Sequence, residues 1–486
     1  PDAEIISSKQ KINKIVSSFT NEDEENYNTL IEMFEKIEKT DGLNKFKVNL
    51  SKSTKQKIER WKNTFTEYKI NNQNENKELI DIVIGFDFGT SCSKIVVDFP
   101  FIGNIDTYAF PVPKEFRANN HEHCWKSILF YDKENDFFDI IPTNDSMVQL
   151  SDIKISLMNS SSNKIILKNK NIIWGAEKIS VIYLGSLLKL IKGWVIADIV
   201  SKYYKNLKNI EYSWELNIGL PAAKIDADRI SGLYGNILNS AWTISEIDQH
   251  VKMTNYDSII TDNFKKFNFL HIRPEVAAQS IGFIRSAMLD FGAYTVVDIG
   301  ASTLDVCVFN YMNNDDKEKQ ALFTANVDLL GAESTKWIKI VNSQFNKKFI
   351  DNDLQIAIQS SIAKSLLDTK QTRAGTLREW QNTMPIIICG GGKRSSIHQN
   401  ALKDLKDIWN SVNGGMKGNL KFLKPTLPLN LKIECDINEY HRLSVAWGLS
   451  IEQEIFAEIE LPKDIKDLPK YKKIDWQSRF ISKDDV

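Results

Sequence analysis

Up to about residue 78, apolar side chains recur only at helical intervals, in a stretch rich in Lys, Glu, Asn, Ser and Thr. Tyr27, Leu30, Ile31, Phe34 and Ile37 make one stripe, and Ile58, Trp61, Phe65 and Tyr68 make another. Spacings of three and four residues bring such side chains to one helix face. The pattern predicts an αα-hairpin appendage whose stripes pack on each other or on the main body. A polar linker, NNQNENK at Asn71–Lys77, follows it and has too little apolar surface to order itself. From Asp81 the period changes, and short apolar runs alternate with longer helical ones, as α/β architecture requires. Strands are expected at Ile82–Phe86, Ile95–Asp98, Ser127–Tyr131, Leu216–Gly219, Thr295–Asp298, Val306–Asn310 and Pro385–Cys389. Helices are expected at Ser180–Lys205, Asp226–Leu238, Glu275–Leu289, Glu333–Phe345, Ser395–Trp409 and Arg442–Glu454. The stretch after Pro462 is charged and proline-broken, and no further domain is expected within it.

Composition narrows the class without naming a partner. A chain of 486 residues is long enough for two or three domains, which excludes a small disulfide-stapled scaffold. Its 62 basic and 63 acidic residues leave a net charge of -1, so no global field favours nucleic acid or an anionic membrane. No bilayer-spanning apolar run of roughly 20 residues is expected, and Pro1–Thr20 lacks the apolar block of a signal peptide. A soluble, cytoplasmic protein is the expectation. The five cysteines, Cys92, Cys124, Cys307, Cys389 and Cys435, form no CxxC pair, and their odd number suits reduced thiols. His121, His123 and Cys124 in HEHCW could hold a metal only with a fourth ligand that the spacing does not supply. An ordinary loop before a strand is expected there.

Two segments look like one device used twice. IGFDFGTSCSK, Ile84–Lys94, and VVDIGASTLDV, Val296–Val306, each place an Asp at the end of an incoming strand and a Gly with hydroxyls in the turn. Glycine lets backbone N–H groups approach an anion, hydroxyls add donors, and the carboxylate can hold a divalent cation through water. One such turn would be a hairpin; two fit a duplicated fold that grips a polyphosphate from both sides. A third element, IIICGGGKRS at Ile386–Ser395, runs a buried strand into a glycine loop that opens a helix. It is not a Walker A loop, which would need Gly at Ile387 and Ser or Thr at Arg394.

These three elements, in this order, resemble the superfamily of actin, sugar kinases and DnaK-type heat-shock chaperones. They look like its first phosphate, second phosphate and adenosine motifs, while RPEVAAQSIGF (Arg273–Phe283) and EYHRLSVAWGLS (Glu439–Ser450) resemble its two connecting helices. Within the superfamily the likeness leans to the DnaK type through LNIGLPAAKIDADR (Leu216–Arg229), LLGAES (Leu329–Ser334) and SDIKISLM (Ser151–Met158). The resemblance covers roughly residues 80 to 456. It implies a two-lobed α/β ATPase fold with an RNase H-like mixed sheet in each lobe and the nucleotide between them. Lobe I would comprise residues 79–292 and 436–460, lobe II residues 293–435, after a helical extension at 1–78 and before a charged tail at 461–486.

Carried over by position, the resemblance implies ATP or ADP with magnesium. Asp87 and Asp298 would hold the magnesium through water, and Gly89, Thr90, Ser91, Gly300, Ala301, Ser302 and Thr303 would cradle the phosphates. Lys154 matches the lysine beside the γ-phosphate and attacking water, Glu275 the acid of the first connecting helix, and Gly331 the turn beneath the phosphates. Gly390, Gly391 and Gly392 with Arg394 would hold adenosine, the guanidinium stacking on adenine, and Lys364 would lie near the ribose. The sequence departs from the family pattern at Pro274-Glu275, in reversed order, at Ala301 and Ser302, where glycines are usual, and at Ser365, where a second stacking arginine is usual. After the second connecting helix no room is expected for the β-sandwich and lid with which chaperones hold peptides.

Blander roles are expected for several residues: core or groove packing for Trp409 and Trp447, and strand termination or bracing for Asp98 and Asp305, either of which could instead support a metal through an intervening group. Lys94 follows the turn as a lysine does in some sugar kinases and actins, and could equally be a solvated strand residue. The expected activity is slow, magnesium-dependent ATP hydrolysis that switches the conformation of a chaperone-like regulator of another protein. That partner would dock on the N-terminal helices or on the lobe surfaces. Three alternatives share the motifs. A small-molecule kinase would need a catalytic Asp, for which Asp226 or Asp228 are the candidates. An actin-like filament former and a non-hydrolysing nucleotide sensor are the others.

Overall fold

The structure, a computed structural model, describes residues 49–71, 77–103, 105–144, 147–151, 153–158, 164–167, 172–220, 228–287, 290–314, 317–341, 347–405, 419–452 and 458–466. The stripe at Tyr27–Ile37, Asp226, Trp409 and the tail beyond 466 lie outside the described residues, as does the side chain of Asp228. The architecture is mixed α/β, with several mixed sheets flanked by helices.

The first half runs α1 (Lys52–Asn71), β1 (Glu78–Phe88), β2 (Cys92–Asp98), β3 (Thr107–Ala109), β4 (Trp125–Lys126), β5 (Leu129–Asp132), β6 (Phe137–Asp139) and β7 (Val148–Leu150). It continues through α2 (Ile153–Met158), β8 (Lys164–Leu167), β9 (Ile172–Gly175), α3 (Ala176–Trp194), β10 (Ile210–Leu220), α4 (Asp228–Ser245), α5 (Tyr256–Asn263), β11 (Leu270–Pro274) and α6 (Glu275–Ala287). In the large sheet β1 pairs antiparallel with β2 and β2 with β3, while β10 and β11 run parallel on the other side of β1. The expected strand near Ser127–Tyr131 is β5, which pairs with β6 and β7 in a separate small sheet.

The second half repeats this order. It contains β12 (Gly292–Ile299), β13 (Leu304–Asn314), β14 (Lys317–Asp328), α7 (Ala332–Val341), α8 (Lys347–Asp368), β15 (Thr383–Cys389), α9 (Ser396–Lys403), β16 (Asn419–Leu423), β17 (Leu431–Lys432), α10 (Ser444–Leu449) and β18 (Glu458–Glu460). Strands β12, β13 and β14 form an antiparallel meander, and β15 and β16 follow in parallel beside β12. The orders β3-β2-β1-β10-β11 and β14-β13-β12-β15-β16 are therefore one topology built twice. The last two strands cross the boundaries read from sequence: β17 pairs with β3 of the first sheet, and β18 with β14 of the second. Two- and three-residue strands carry too little pattern of their own to reveal which sheet they extend.

Helices α6 and α10 lie between the sheets. Val276, Ala277, Phe283 and Ile284 of α6 pack with Tyr294, Val296 and Phe309 of the second sheet, whereas Ala446 and Trp447 of α10 pack with Val96 of the first and with Ile281 of α6. Their backbones approach so closely that a Cβ on Gly448 would overlap the Ala278 carbonyl. Helix α10 is shorter than the pattern at Arg442–Glu454 predicts. A 3-10 turn at Ile437–Arg442, capped by Asp436, precedes it, and the N–H groups of Ser450 and Ile451 bond back to Trp447 and Gly448, tightening its end.

Of the two arrangements expected for the stripe at Ile58–Tyr68, packing on the main body is the one observed: Ile58, Trp61 and Phe65 are buried in the first core with α3, and the Trp61 Nε1–H donates to Asp198 at 2.9 Å, so this helix is part of that core. A helical stripe looks the same whether it meets a partner helix or a core. One expectation needs correction, that of a chain without a long apolar helix. Ala176–Tyr203 is long and apolar enough to cross a membrane, and 89% of its most apolar window is buried inside the protein, where it is the central core helix. Its Lys192 is fully buried, with Nζ 2.7 Å from Ser245 Oγ, paired with Glu246 and 3.3 Å from the Trp242 ring centre.

Candidate active site

The two hairpin turns converge because each opens after the first strand of its sheet. Asp87 sits near the end of β1 and faces Lys94 across β2, and Asp298 near the end of β12 faces Asp305 across β13. These are equivalent positions of the repeated fold, one carrying a cation and the other a second acid. Between them lies a cavity of about 230 Å3, lined by Asp87, Gly89, Thr90, Ser91, Lys154, Glu275, Asp298, Gly300, Ala301, Ser302, Thr303, Gly390, Gly391 and Gly392. It therefore brings together the four acid and base candidates and most of the expected cradle.

Lys94 is not a solvated strand residue. Its Nζ is 2.7 Å from Asp87 Oδ2, with the side chain 18% exposed; burial works against its charge, but Asp87 outweighs that and holds its pKa well above the ordinary value. Lys154 Nζ lies 2.7 Å from Glu275 Oε1. Glu275 reaches the cavity because β11 ends at Pro274, so the reversed Pro-Glu order sets Glu275 at the first position of α6.

On the other side, burial pushes the Asp298 carboxyl up to about 7; Lys94 opposes the shift, and Asp87 and Glu275 reinforce it. Gln279 Nε2 donates to Asp298 Oδ2 at 3.2 Å. Asp305 is also held well above its usual range, first by burial and then by Glu275 and Asp298, although the Thr303 hydroxyl donates to it at 2.8 Å. Asp305 thus lines the cavity, whereas Asp98 braces its strand by accepting from Thr107 Oγ1.

The second turn is fixed from below. Gly331 N–H donates to Ser302 O at 3.0 Å, Ala332 N–H to Gly300 O at 3.0 Å and Glu333 N–H to Ala301 O at 2.7 Å. Gly331 supports the turn and does not itself line the cavity. Gly390 has φ +79°, and a Cβ there would strike Asp298, so this position requires glycine on both counts. Three buried polar atoms of lining residues, Ser302 Oγ, Gln279 Oε1 and His441 Nε2, have no hydrogen-bond partner among the described residues. An unmade bond at a buried group is costly, and all three are consistent with a ligand that fills the cavity.

No protein-family model and no curated protein matches the chain.

Two expected nucleoside contacts are placed elsewhere. Lys364 is exposed on α8, and Arg394 is clasped by Glu439 with its side chain 62% exposed. Ser365 is buried, accepts from Asn326 Nδ2 at 2.7 Å and donates to Ser361 O at 3.1 Å, facing β14 and its own helix. Glu439 also accepts from Arg442 Nε at 2.9 Å. Sequence reasoning missed Gln279, His441, Arg442 and Asn119 as lining residues; each lies in or beside a recognised motif, but nothing local marks its side chain as facing inward. HEHCW forms no metal centre. His123 Nδ1 bonds Phe110 O at 2.9 Å and its Nε2 accepts from Glu434 N–H at 2.8 Å, which uses both ring nitrogens.

Among the described residues no group of three or more His, Cys, Asp or Glu side chains could hold a metal unaided. Magnesium does not need such a cage, because it keeps its waters and binds through one or two carboxylates and substrate phosphate. Asp87 and Asp298, with the raised pKa of the latter, form an acid-rich floor that fits a hard dication.

Proposed function

We propose that this cavity binds ATP or ADP with magnesium and that the protein is a slow ATPase with a two-lobed, actin-like arrangement, most similar to the DnaK type. The observation that supports this best is the convergence of two acidic glycine turns, one from each copy of a repeated sheet, and a third glycine loop on one polar cavity. Turn amides and the hydroxyls of Thr90, Ser91, Ser302 and Thr303 would hold phosphate oxygens, with the ligand supplying the missing partner of Ser302. The 390–392 loop would take the nucleoside side. Asp87 and Asp298 would hold magnesium through water, and bound magnesium would neutralise charge on the phosphates. Lys94, already paired with Asp87, brings a fixed positive charge to the first turn.

Phosphoryl transfer to water asks the protein chiefly for positioning and charge stabilisation. Lys154 would meet charge developing on the terminal phosphate, and Glu275, bonded to it, would orient the ammonium and accept a hydrogen bond from the attacking water. Closing on ATP and relaxing on ADP would make the protein a nucleotide-controlled switch acting on a partner protein. The test is single-turnover hydrolysis of radiolabelled ATP by the full chain with magnesium. Release of phosphate above the buffer rate supports the ATPase. Tight binding without release overturns hydrolysis and leaves a nucleotide sensor, stimulation by an added metabolite would make it a kinase, and ATP-dependent light scattering would indicate filaments.

A further inference from the structure

We infer that His441 reads the nucleoside, accepting on its Nε2 a hydrogen bond from an N–H or O–H group of the base or the ribose. The inference rests on the reading of the cavity as a nucleotide site. His441 follows Tyr440 in the turn before α10, is 3% exposed, and lines the cavity beside the 390–394 loop. Its Nδ1 is 2.8 Å from the Asn438 carbonyl. A carbonyl can only accept, so Nδ1 carries the hydrogen. The ring is neutral, because burial, with Lys393, Arg442 and Arg394 nearby, holds its pKa down at about 3. Nε2 is therefore a bare acceptor, and it has no partner among the described residues.

The groups around it explain why a ligand donor is required. His121 Nδ1 accepts from the His123 N–H at 3.2 Å, which leaves the hydrogen of this second neutral ring on Nε2, 3.9 Å from Glu439 Oε2. Glu439 also binds Arg394 and Arg442. Both arginines are thus held by one carboxylate, the His121 Nε2–H lies beyond hydrogen-bond reach of it, and the buried Nε2 acceptor of the lining residue His441 is left without a partner among the described residues. A nucleotide's ionised phosphate oxygens are acceptors and cannot satisfy it. The hydroxyls of ribose and the exocyclic amine of adenine can. A site built to receive such a donor discriminates strongly against an analogue that lacks it, because the buried acceptor is then left unpaired.

Calorimetry on the full chain with magnesium tests this, using ATP, inosine triphosphate, 2′-deoxy-ATP and 3′-deoxy-ATP on the wild type, His441→Phe and His441→Gln. The expected result is a loss of ~10-fold or more in wild-type affinity for one analogue. Inosine would identify the base amine as the donor, and a deoxy analogue would identify the ribose. That discrimination should vanish in His441→Phe and partly return in His441→Gln, whose amide oxygen can accept. Equal relative affinities in wild type and His441→Phe overturn the inference while leaving the nucleotide reading intact. Absence of binding by any nucleotide to the wild type overturns that reading first. If His441→Phe folds poorly, the wild-type series decides, and equal affinity for all four nucleotides overturns the role of His441.

Discussion

Lys154 and Glu275 stand 121 positions apart in the chain and meet at 2.7 Å, with side chains 7% and 16% exposed. One belongs to a six-residue helix and the other opens α6 behind a proline. Removing one partner of such a pair strands the other's charge. Lys154→Met should therefore cost about 3 kcal/mol in urea unfolding, and the added Glu275→Gln should recover most of it. A double variant that loses the sum of two independent costs would mean the pair is not coupled.

The same lysine separates binding from chemistry. Lys154→Ala should hold ATP within about tenfold of wild type while losing on the order of 10² to 10³ in single-turnover rate, the scale of one preorganised electrostatic donor. Wild-type turnover in this variant would remove Lys154 from the mechanism.

Trp61 is fully buried in the first core and bonded to Asp198, so α1 belongs to the body of the protein. Trp61→Ala should destabilise by about 3–5 kcal/mol, the usual cost of emptying a large core site. Deletion through residue 76 should leave an insoluble or molten product. A truncated protein with an unchanged melting temperature would restore α1 to the status of an appendage.

Lys192 gives a pH dependence whose direction follows from its surroundings. Burial lowers its pKa to about 8 although Glu246 opposes the shift. Below that value the folded protein carries a costly buried charge. Between about 8 and its ordinary value the unfolded chain binds more protons than the folded one, so stability rises with pH there. Lys192→Met should thus be more stable than wild type at pH 7 by up to about 3 kcal/mol, with the gain shrinking to nothing near pH 10.5. Thermal melts across that range check it, and a constant difference would contradict it.

The strands that carry the motifs were legible because their apolar runs are short, buried and bounded by glycine turns. The expected cluster of Asp87, Asp298, Lys154 and Glu275 is lined up around one cavity because the repeated topology brings the ends of β1 and β12 together. What stayed hidden depends on distant partners. The burial of Ile58, Trp61 and Phe65 against α3 leaves the same stripe as a helical hairpin packed on itself would. Strands β3, β4, β17 and β18 have two or three residues each, and their pairing is set by neighbours far along the chain. Arg394 was placed by its motif, but Glu439, 45 positions away, holds its guanidinium. The apolar face of α3 hid Lys192 within an otherwise ordinary core pattern.

The most direct measurement is titration calorimetry of the folded full chain with ATP and with ADP, each with and without magnesium. The account predicts saturable one-to-one binding strengthened by magnesium, and a stabilisation of about 2.7 kcal/mol at a hundredfold excess over Kd. In Asp298→Asn the magnesium-dependent part should weaken while magnesium-free binding stays near wild type. No heat and no thermal shift with either nucleotide, in a sample shown to be folded, would contradict the account.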